Sequence, residues 1–314
     1  MTKDNSTKIV FFGTPKFAVP TLQALVTEGY HVVLVITQPD EPVGRKQVLT
    51  PTPIKVEALK LNVPVKENLW EIKNYNADLG VVVAYGKIIP QAILDLFPLG
   101  LLNIHPSLLP KYRGPSPIQS AILNGDDETG VSIIKLDEQM DHGPIISQIQ
   151  VPISKDESSP TLFDKLSVLG AELMIKALPD YVAGKAKLEP QDDSKATYCE
   201  MINKEDGLID WTNSADQIER QIRAYAPWPG SFSEFDVNHK KINIKIISAI
   251  ICDPVETRNC ASLPHDNQSP VGKFVIKNNQ LVVQCGHGAL LIEKLQPEGK
   301  KEMPAQAFIN GYLK

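Results

Sequence analysis

Apolar residues in the first third of the chain come in short dense runs separated by glycine, proline and charged turns. Ile9 to Phe12 is one such run, His31 to Thr37 a second and Leu79 to Ala84 a third. They are almost continuously apolar, as strands covered on both faces are. Between them, Phe17 to Val26 and Pro51 to Leu61 carry apolar residues at helical spacing, and Val63-Pro64-Val65 adds a short strand. Strands alternating with helices predict right-handed βαβ units and a doubly wound parallel sheet. A further strand from Gly100 leads into the pair Asn103 and His105. In open sheets of this kind ligands sit beyond the carboxyl ends of the strands, so Gly13, Tyr85-Gly86 and Asn103 to His105 are expected around one crevice.

The pattern continues with a helix over Pro115 to Leu123 and a strand over Val131 to Leu136. A polar loop, Asp137 to Gly143, separates that strand from another over Ile145 to Val151. Thr161 to Val182 reads as a long amphipathic helix with Leu162, Leu166, Leu169, Leu173, Ile175 and Leu178 in its stripe. Ala183 to Glu205 has little apolar periodicity and reads as a linker. After a helix over Ser214 to Ala224, short β-rich runs separated by turn clusters predict a small barrel. The expected architecture is therefore α/β: a Rossmann-like doubly wound parallel sheet over residues 1–188, a linker over 189–206, and an OB-like C-terminal β-barrel domain over 207–314. A length of 314 residues suits two domains with separate cores.

Composition narrows the class. With 42% hydrophobic and 22% charged residues the chain is neither disordered nor membrane-embedded in character. Its apolar runs fall short of the roughly 18 residues a membrane-spanning helix needs. The amino terminus has no apolar leader region, so a cytoplasmic protein is expected. Cys199, Cys252, Cys260 and Cys285 form no Cys-x-x-Cys pair, and the expectation is reduced thiols and no metal site. A net charge of -5 means that a nucleic acid would have to be held by local basic clusters. Lys240-Lys241 with Lys245, and Lys300-Lys301, are such clusters, though charge runs of this size also occur as solvated faces.

Gly13-Thr14-Pro15 stands where a dinucleotide-binding protein has its glycine-rich turn, but Pro15 and Ala18 replace the later glycines, and proline removes an N–H donor. Asn103 and His105 are two apart on a strand, so their side chains project to the same side. An asparagine amide suits an oxyanion developing in acyl transfer, and histidine can donate to the same oxygen or take the proton of an attacking amine. Asp141 is placed to orient the imidazole. Leu108-Leu109-Pro110 offers an apolar wall and Ser107 a polar contact. Taken alone, the three residues read equally as a strand-end cap, a satisfied histidine and a turn aspartate.

The longer text changes that. Asn-Ile-His-Pro-Ser-Leu-Leu-Pro-Lys-Tyr-Arg-Gly, followed by Asp141-His142-Gly143, resembles the active-site signature of the 10-formyltetrahydrofolate-dependent formyltransferases. Phe12-Gly13-Thr14-Pro15, Val82-Val83-Ala84-Tyr85-Gly86, Gly114 to Gln119, Glu128 to Val131, Ile209-Asp210-Trp211 and Arg223 to Gly230 are similar to the methionyl-tRNA formyltransferase family, over residues 8 to 310. The resemblance implies catalytic roles for Asn103, His105 and Asp141. It implies 10-formyltetrahydrofolate as co-substrate, near Ser107, Leu108, Leu109 and Pro110, with the pterin close to Val83, Ala84, Tyr85, Gly86 and Asp137. It implies initiator methionyl-tRNA as partner, contacted by Arg45 and Lys46 of the loop Gln38 to Pro53 and by Lys240, Lys241, Lys300 and Lys301. A monomer without a metal is expected. His105-Pro106 and Asp141 to Pro144 also resemble the glycinamide ribonucleotide formyltransferases, which lack a β-rich second domain. Amino-sugar formyltransferases and the hydrolase domain of formyltetrahydrofolate dehydrogenase are further enzymes of this resemblance. A non-catalytic folate- or RNA-binding protein would belong to a different class, and the intact Asn103, His105 and Asp141 argue against it.

Overall fold

The computed structural model describes residues 6–44, 46–237, 240–252 and 271–313. It divides into two compact units: Met1–Pro117 with Glu128–Pro152 and Leu162–Glu200, and Ile118–Asp127 with Ile153–Thr161 and Met201–Lys314.

Among the described residues the first unit has nine strands, seven in one sheet and two in a separate hairpin. In chain order they are β1 (Lys8–Gly13), β2 (His31–Ile36), a separate hairpin of β3 (Glu41–Val43) and β4 (Val48–Thr50), then β5 (Val65–Lys66), β6 (Leu79–Val83), β7 (Leu101–His105), β8 (Glu128–Lys135) and β9 (Ile145–Pro152). The sheet order is β5-β2-β1-β6-β7-β8-β9. Its first five strands are parallel, as the alternation of strands and helices implies. β8 and β9 add to it antiparallel, which makes the sheet mixed. Helices α1 (Val19–Thr27) and α2 (Pro53–Lys60) serve the crossovers. Each has proline in its first turn, where no N–H donor is needed.

Alternation along the strands sends Val10, Phe12, Leu34, Ile36 and Val82 to one face. There they pack with Tyr85, Phe97 and Ile93, the last from the short helix α3 (Gln91–Leu94). Phe12 meets Tyr85 and Phe97 edge-on at 5.8 and 6.1 Å, an arrangement favoured by the ring quadrupoles. After α4 (Pro117–Asn124) comes α5 (Ser159–Val182), whose part from Leu162 on lies in this unit. It buries Leu162, Leu166, Leu173 and Leu178, while Leu169 and Ile175 are only half-buried. A Cβ at Gly170 would stand 2.8 Å from Ile104 Cγ2, so the glycine lets this helix close onto β7. Packing at that point fixes the strand that carries Asn103 and His105.

Three features go beyond the pattern of the sequence. The loop Gln38 to Pro53 contains the β3–β4 hairpin, with Val48 and Leu49 exposed. Residues 189–200, which read as linker, are bonded into the first unit, through bridges of Glu189 with Ile145 and of Tyr198 with Arg113. A last helix, α7 (Ala305–Tyr312), follows the β-rich region.

In the second unit α6 (Ala215–Ala224) begins at a capping box: Ser214 Oγ accepts from Gln217 N at 3.2 Å, and the Gln217 side chain accepts from Ser214 N at 3.0 Å. The antiparallel, barrel-like sheet consists of β10 (Ser231–Val237), β11 (Lys240–Ile251), β12 (Phe274–Lys277), β13 (Gln280–Gln284) and β14 (Ala289–Pro297), in the order β10-β11-β14-β13-β12, with β15 (Met303–Pro304) pairing β14. The polar stretch Asp253 to Pro270 lies outside the described residues. Cys252 is disulfide-bonded, where a reduced thiol was expected, so spacing without a Cys-x-x-Cys motif was insufficient ground for that expectation. Cys199 and Cys285 are buried, and burial pushes the Cys285 thiol up to about 12. Among the described residues no helix is long and apolar enough to cross a membrane.

A train of rings fills the second core: Trp211 edge-on to Phe235, Phe235 stacked on Phe274 at 3.7 Å, and Phe308 of α7 between Phe274 and Tyr312. Phe308 is completely buried. With Ala305 and Ile309 it anchors α7 in this core. Phe308→Ala is expected to destabilise the second unit by about 3 to 5 kcal/mol, seen as a lowered urea midpoint in its unfolding transition.

Candidate active site

The carboxyl ends of β1, β6 and β7 come together in register, with Gly13 beside Val83 and Val82 beside Asn103. Thr14 Oγ1 and Gln38 Nε2 both donate to Tyr85 O, at 2.9 and 3.2 Å, and tie the turns after β1 and β2 to the end of β6. Beyond β6, Ala84 and Gly86 are exposed, and a Cβ at Gly86 would meet nothing within 4 Å. A side chain at position 86 would therefore point into open space.

Asn103 and His105 share one side of β7 and reach the same carboxylate. Asn103 Nδ2 donates to Asp141 Oδ1 at 3.3 Å, and His105 Nδ1 stands 3.6 Å from Asp141 Oδ2. Gly114 N donates to Asp141 Oδ2 at 2.9 Å. His105 is 4% exposed, and its Nε2 donates to Tyr112 O at 2.8 Å. A carbonyl oxygen only accepts, so Nε2 carries hydrogen and Nδ1 is the atom turned to Asp141. Asn103 Nδ2 has a second hydrogen, available for a ligand oxygen. The sequence brings these three residues together as expected, while both ring nitrogens of His105 face protein atoms.

Asp141 lies in the loop between β8 and β9 with φ of +50°, a left-handed conformation that few residues other than glycine adopt. The loop turns tightly: a Cβ at Gly143 would fall 1.8 Å from Lys135 O. Its neighbour His142 donates from Nδ1 to Asp137 Oδ2 at 2.7 Å. This bond raises the affinity of His142 for its proton, aided by Asp193 and opposed by burial and Arg113.

The residues expected around the co-substrate divide by where they point. Val83, Tyr85, Ser107 and Leu109 are buried, and Leu108 and Pro110 half-buried. Ser107 Oγ donates to Lys111 O at 2.6 Å, and the Asp137 carboxylate accepts from His142 and from Gln139 N, so both groups are engaged within their own loops. Two residues passed over in the sequence hold the Ser107–Pro110 segment. Ser132 Oγ donates to Ser107 O at 2.6 Å and accepts from Leu109 N at 3.0 Å. Gln148 Nε2 donates to Leu109 O at 2.9 Å and to Ser132 Oγ at 2.8 Å. A serine inside the apolar run Val131 to Ile134 is a signal the sequence does carry, since a buried hydroxyl needs partners. Tyr112 O and Gly114 N act through the backbone and leave no side-chain signal.

Of the basic residues, Arg45 lies outside the described residues, and Lys46 is exposed in the turn between β3 and β4. Lys240, Lys300 and Lys301 are exposed. Lys241 is paired with Glu234 at 2.7 Å, and Lys245 Nζ donates to Pro227 O at 2.7 Å.

Residues 7–178 match the family model described as formyl transferase, and residues 201–313 match that of the formyl transferase C-terminal domain. Methionyl-tRNA formyltransferase of Citrifermentans bemidjiense is 41% identical over 313 residues, which cover 97% of this chain and 93% of the relative. The enzyme of the same name from Geobacter sulfurreducens is 39% identical, again over 97% of this chain and 94% of its own. Among solved structures, an N-formyltransferase from Helicobacter canadensis, in complex with folinic acid and dTDP-3-aminofucose, superposes with a TM-score of 0.68 at 20% identity, covering 95% of this chain and all (100%) of that one. HypX from Aquifex aeolicus in complex with tetrahydrofolic acid gives 0.63 at 17% identity, over 98% of this chain but 47% of that protein. These two likenesses concern the fold. With both domain models matched in order and about two-fifths identity along nearly its whole length, the chain belongs to the formyl transferase family, among the methionyl-tRNA formyltransferases.

Proposed function

We propose that this chain transfers the formyl group of 10-formyltetrahydrofolate to the α-amine of methionine on initiator tRNA. The observation that carries the chemistry is the convergence of Asn103, His105 and Gly114 on the Asp141 carboxylate. The choice of acceptor rests on the full-length similarity to methionyl-tRNA formyltransferases, which includes the second unit. The exposed backbone at Ala84 and Gly86, beyond the end of β6, suits a flat folate ring.

The folate supplies a formyl group on nitrogen. When an amine adds to that carbon, negative charge gathers on the formyl oxygen, and the spare hydrogen of Asn103 Nδ2 is placed to meet it. The amine must also lose a proton. Asp141 can accept it, and His105 Nδ1, at 3.6 Å from Oδ2, can share it. With Nε2 committed to Tyr112 O, His105 serves this proton pair rather than the oxyanion. The nitrogen that releases the formyl group takes up one proton as the amine gives one up. The pair thus returns to its starting state at the end of a turnover.

The deciding experiment offers the purified chain 10-formyltetrahydrofolate with methionyl initiator tRNA, glycinamide ribonucleotide or a dTDP-amino sugar in parallel. Formylation of the charged tRNA alone is expected, and it should weaken steeply with salt because phosphate contacts release counterions. Transfer to a small amine with none to the tRNA would falsify the proposal. Asn103→Ala is expected to lower kcat by about 100 to 1000-fold, with folate binding, read by fluorescence titration, little changed. A loss of ten-fold or less would remove the amide from its role.

A further inference from the structure

The loop that presents Asp141 has a geometric difficulty. It leaves β8 at Lys135, which pairs with Leu102 near the start of β7, yet Asp141 must reach back to Asn103 and His105 farther along that strand. It does so with Asp141 held at φ +50°. A non-glycine residue keeps such a conformation only where its surroundings over-determine it.

The over-determination comes from one side chain in the segment that reads as linker. Gln191 Nε2 donates to Asp141 O at 2.7 Å and to Gly143 O at 2.8 Å, holding the carbonyl of the strained residue and the turn that follows it. Its Oε1 accepts from Arg113 Nε at 3.0 Å, so the amide cannot turn over without losing all three bonds. Arg113 is itself 2% exposed. It is fixed by Asp193 Oδ1 at 2.8 Å and by the Tyr198 hydroxyl at 3.3 Å. The same segment holds the other half of the site: Tyr112 N donates to Thr197 Oγ1, Arg113 N to Thr197 O and Cys199 N to Arg113 O, at 2.8, 2.8 and 2.9 Å. Those bonds locate Tyr112 O, the partner of His105, and Gly114 N, the partner of Asp141.

We propose that Gln191 is a positioning residue for formyl transfer: it locks the backbone of Asp141 in the one conformation that lets its carboxylate meet Asn103 and His105 together. The proposal rests on the assignment of Asp141 to the proton pair. Gln191 touches neither substrate in this role, and its influence passes through Asp141.

The test uses Gln191→Glu in the full-length chain. Glutamate keeps the length of the side chain and the acceptor for Arg113 Nε, but it sets an oxygen without hydrogen against two carbonyl oxygens. The expected result is a fall in kcat of about ten-fold or more, the range found when partners that orient a functional group are lost. KM for folate and for tRNA and the urea midpoint are expected to stay near those of the wild type. Gln191→Ala, which removes the contact without adding charge, is expected to show the same split. In an Asp141→Asn background, Gln191→Glu should leave the residual kcat unchanged, because the group it positions is already gone. Wild-type kcat in both Gln191 variants overturns the proposal. So does a loss that multiplies in full with that of Asp141→Asn, or one that follows the urea midpoint. If Asp141→Asn alone retains full activity, it is the assignment of Asp141 that fails.

Discussion

Asp141 has a half-buried carboxylate, 14% exposed at the side chain, and a charge so placed is tolerable only with hydrogen-bond donors around it. Its donors come from distant parts of the chain: Asn103 from the end of a strand, and Gly114 from the turn beyond it. His105, two residues along β7 from Asn103, faces the oxygen that Gly114 bonds, Oδ2. The rest of the first unit can be understood as what is needed to make this meeting stable. Parallel strands bring β7 beside β6, α5 closes on Ile104 at Gly170, and the β8–β9 loop folds back across the sheet. Each step uses backbone hydrogen bonds or apolar packing to hold a polar group that would otherwise prefer water.

The parts of this arrangement that follow a period were legible in the sequence. Two residues apart on a strand means one side, and Asn103 and His105 obey that rule because β7 is regular up to His105. The buried strands betrayed themselves by continuous apolar runs. Direction was harder to read, since nothing in the apolar pattern of Val131 to Leu136 distinguishes a strand that continues a parallel sheet from one that enters it antiparallel. Least legible was the segment around Gln191 and Thr197. It binds through amides, hydroxyls and backbone groups, and such bonds leave no hydrophobic imprint. A stretch without apolar period therefore looked like a spacer although it is bonded throughout. Helix α7 escaped because Ala305 to Tyr312 is short and follows the strands that pack on it.

The second unit has a different relation to charge. Among its described residues Lys241 pairs with Glu234, Lys294 with Glu302, and Lys245 donates to Pro227 O, while Lys240, Lys300 and Lys301 stand exposed. On a chain of net charge -5 a general attraction for polyanions is absent, and any phosphate must be met by a few well-placed cations.

Gly114 shows how closely the segment from Gln191 to Cys199 and the Asp141 carboxylate are joined, for its N–H donates to that carboxylate and a Cβ there would lie 2.3 Å from Cys199 O. The consequence reaches to the order in which the chain is made. Synthesis delivers Asn103, His105 and Asp141 well before Gln191, Thr197 and Cys199. A nascent first unit that already possesses its sheet and α5 still lacks the hold on the Asp141 loop. On the proposed role of Gln191, the arrangement around Asp141 is therefore completed late in translation, when the segment leading into the second unit has emerged.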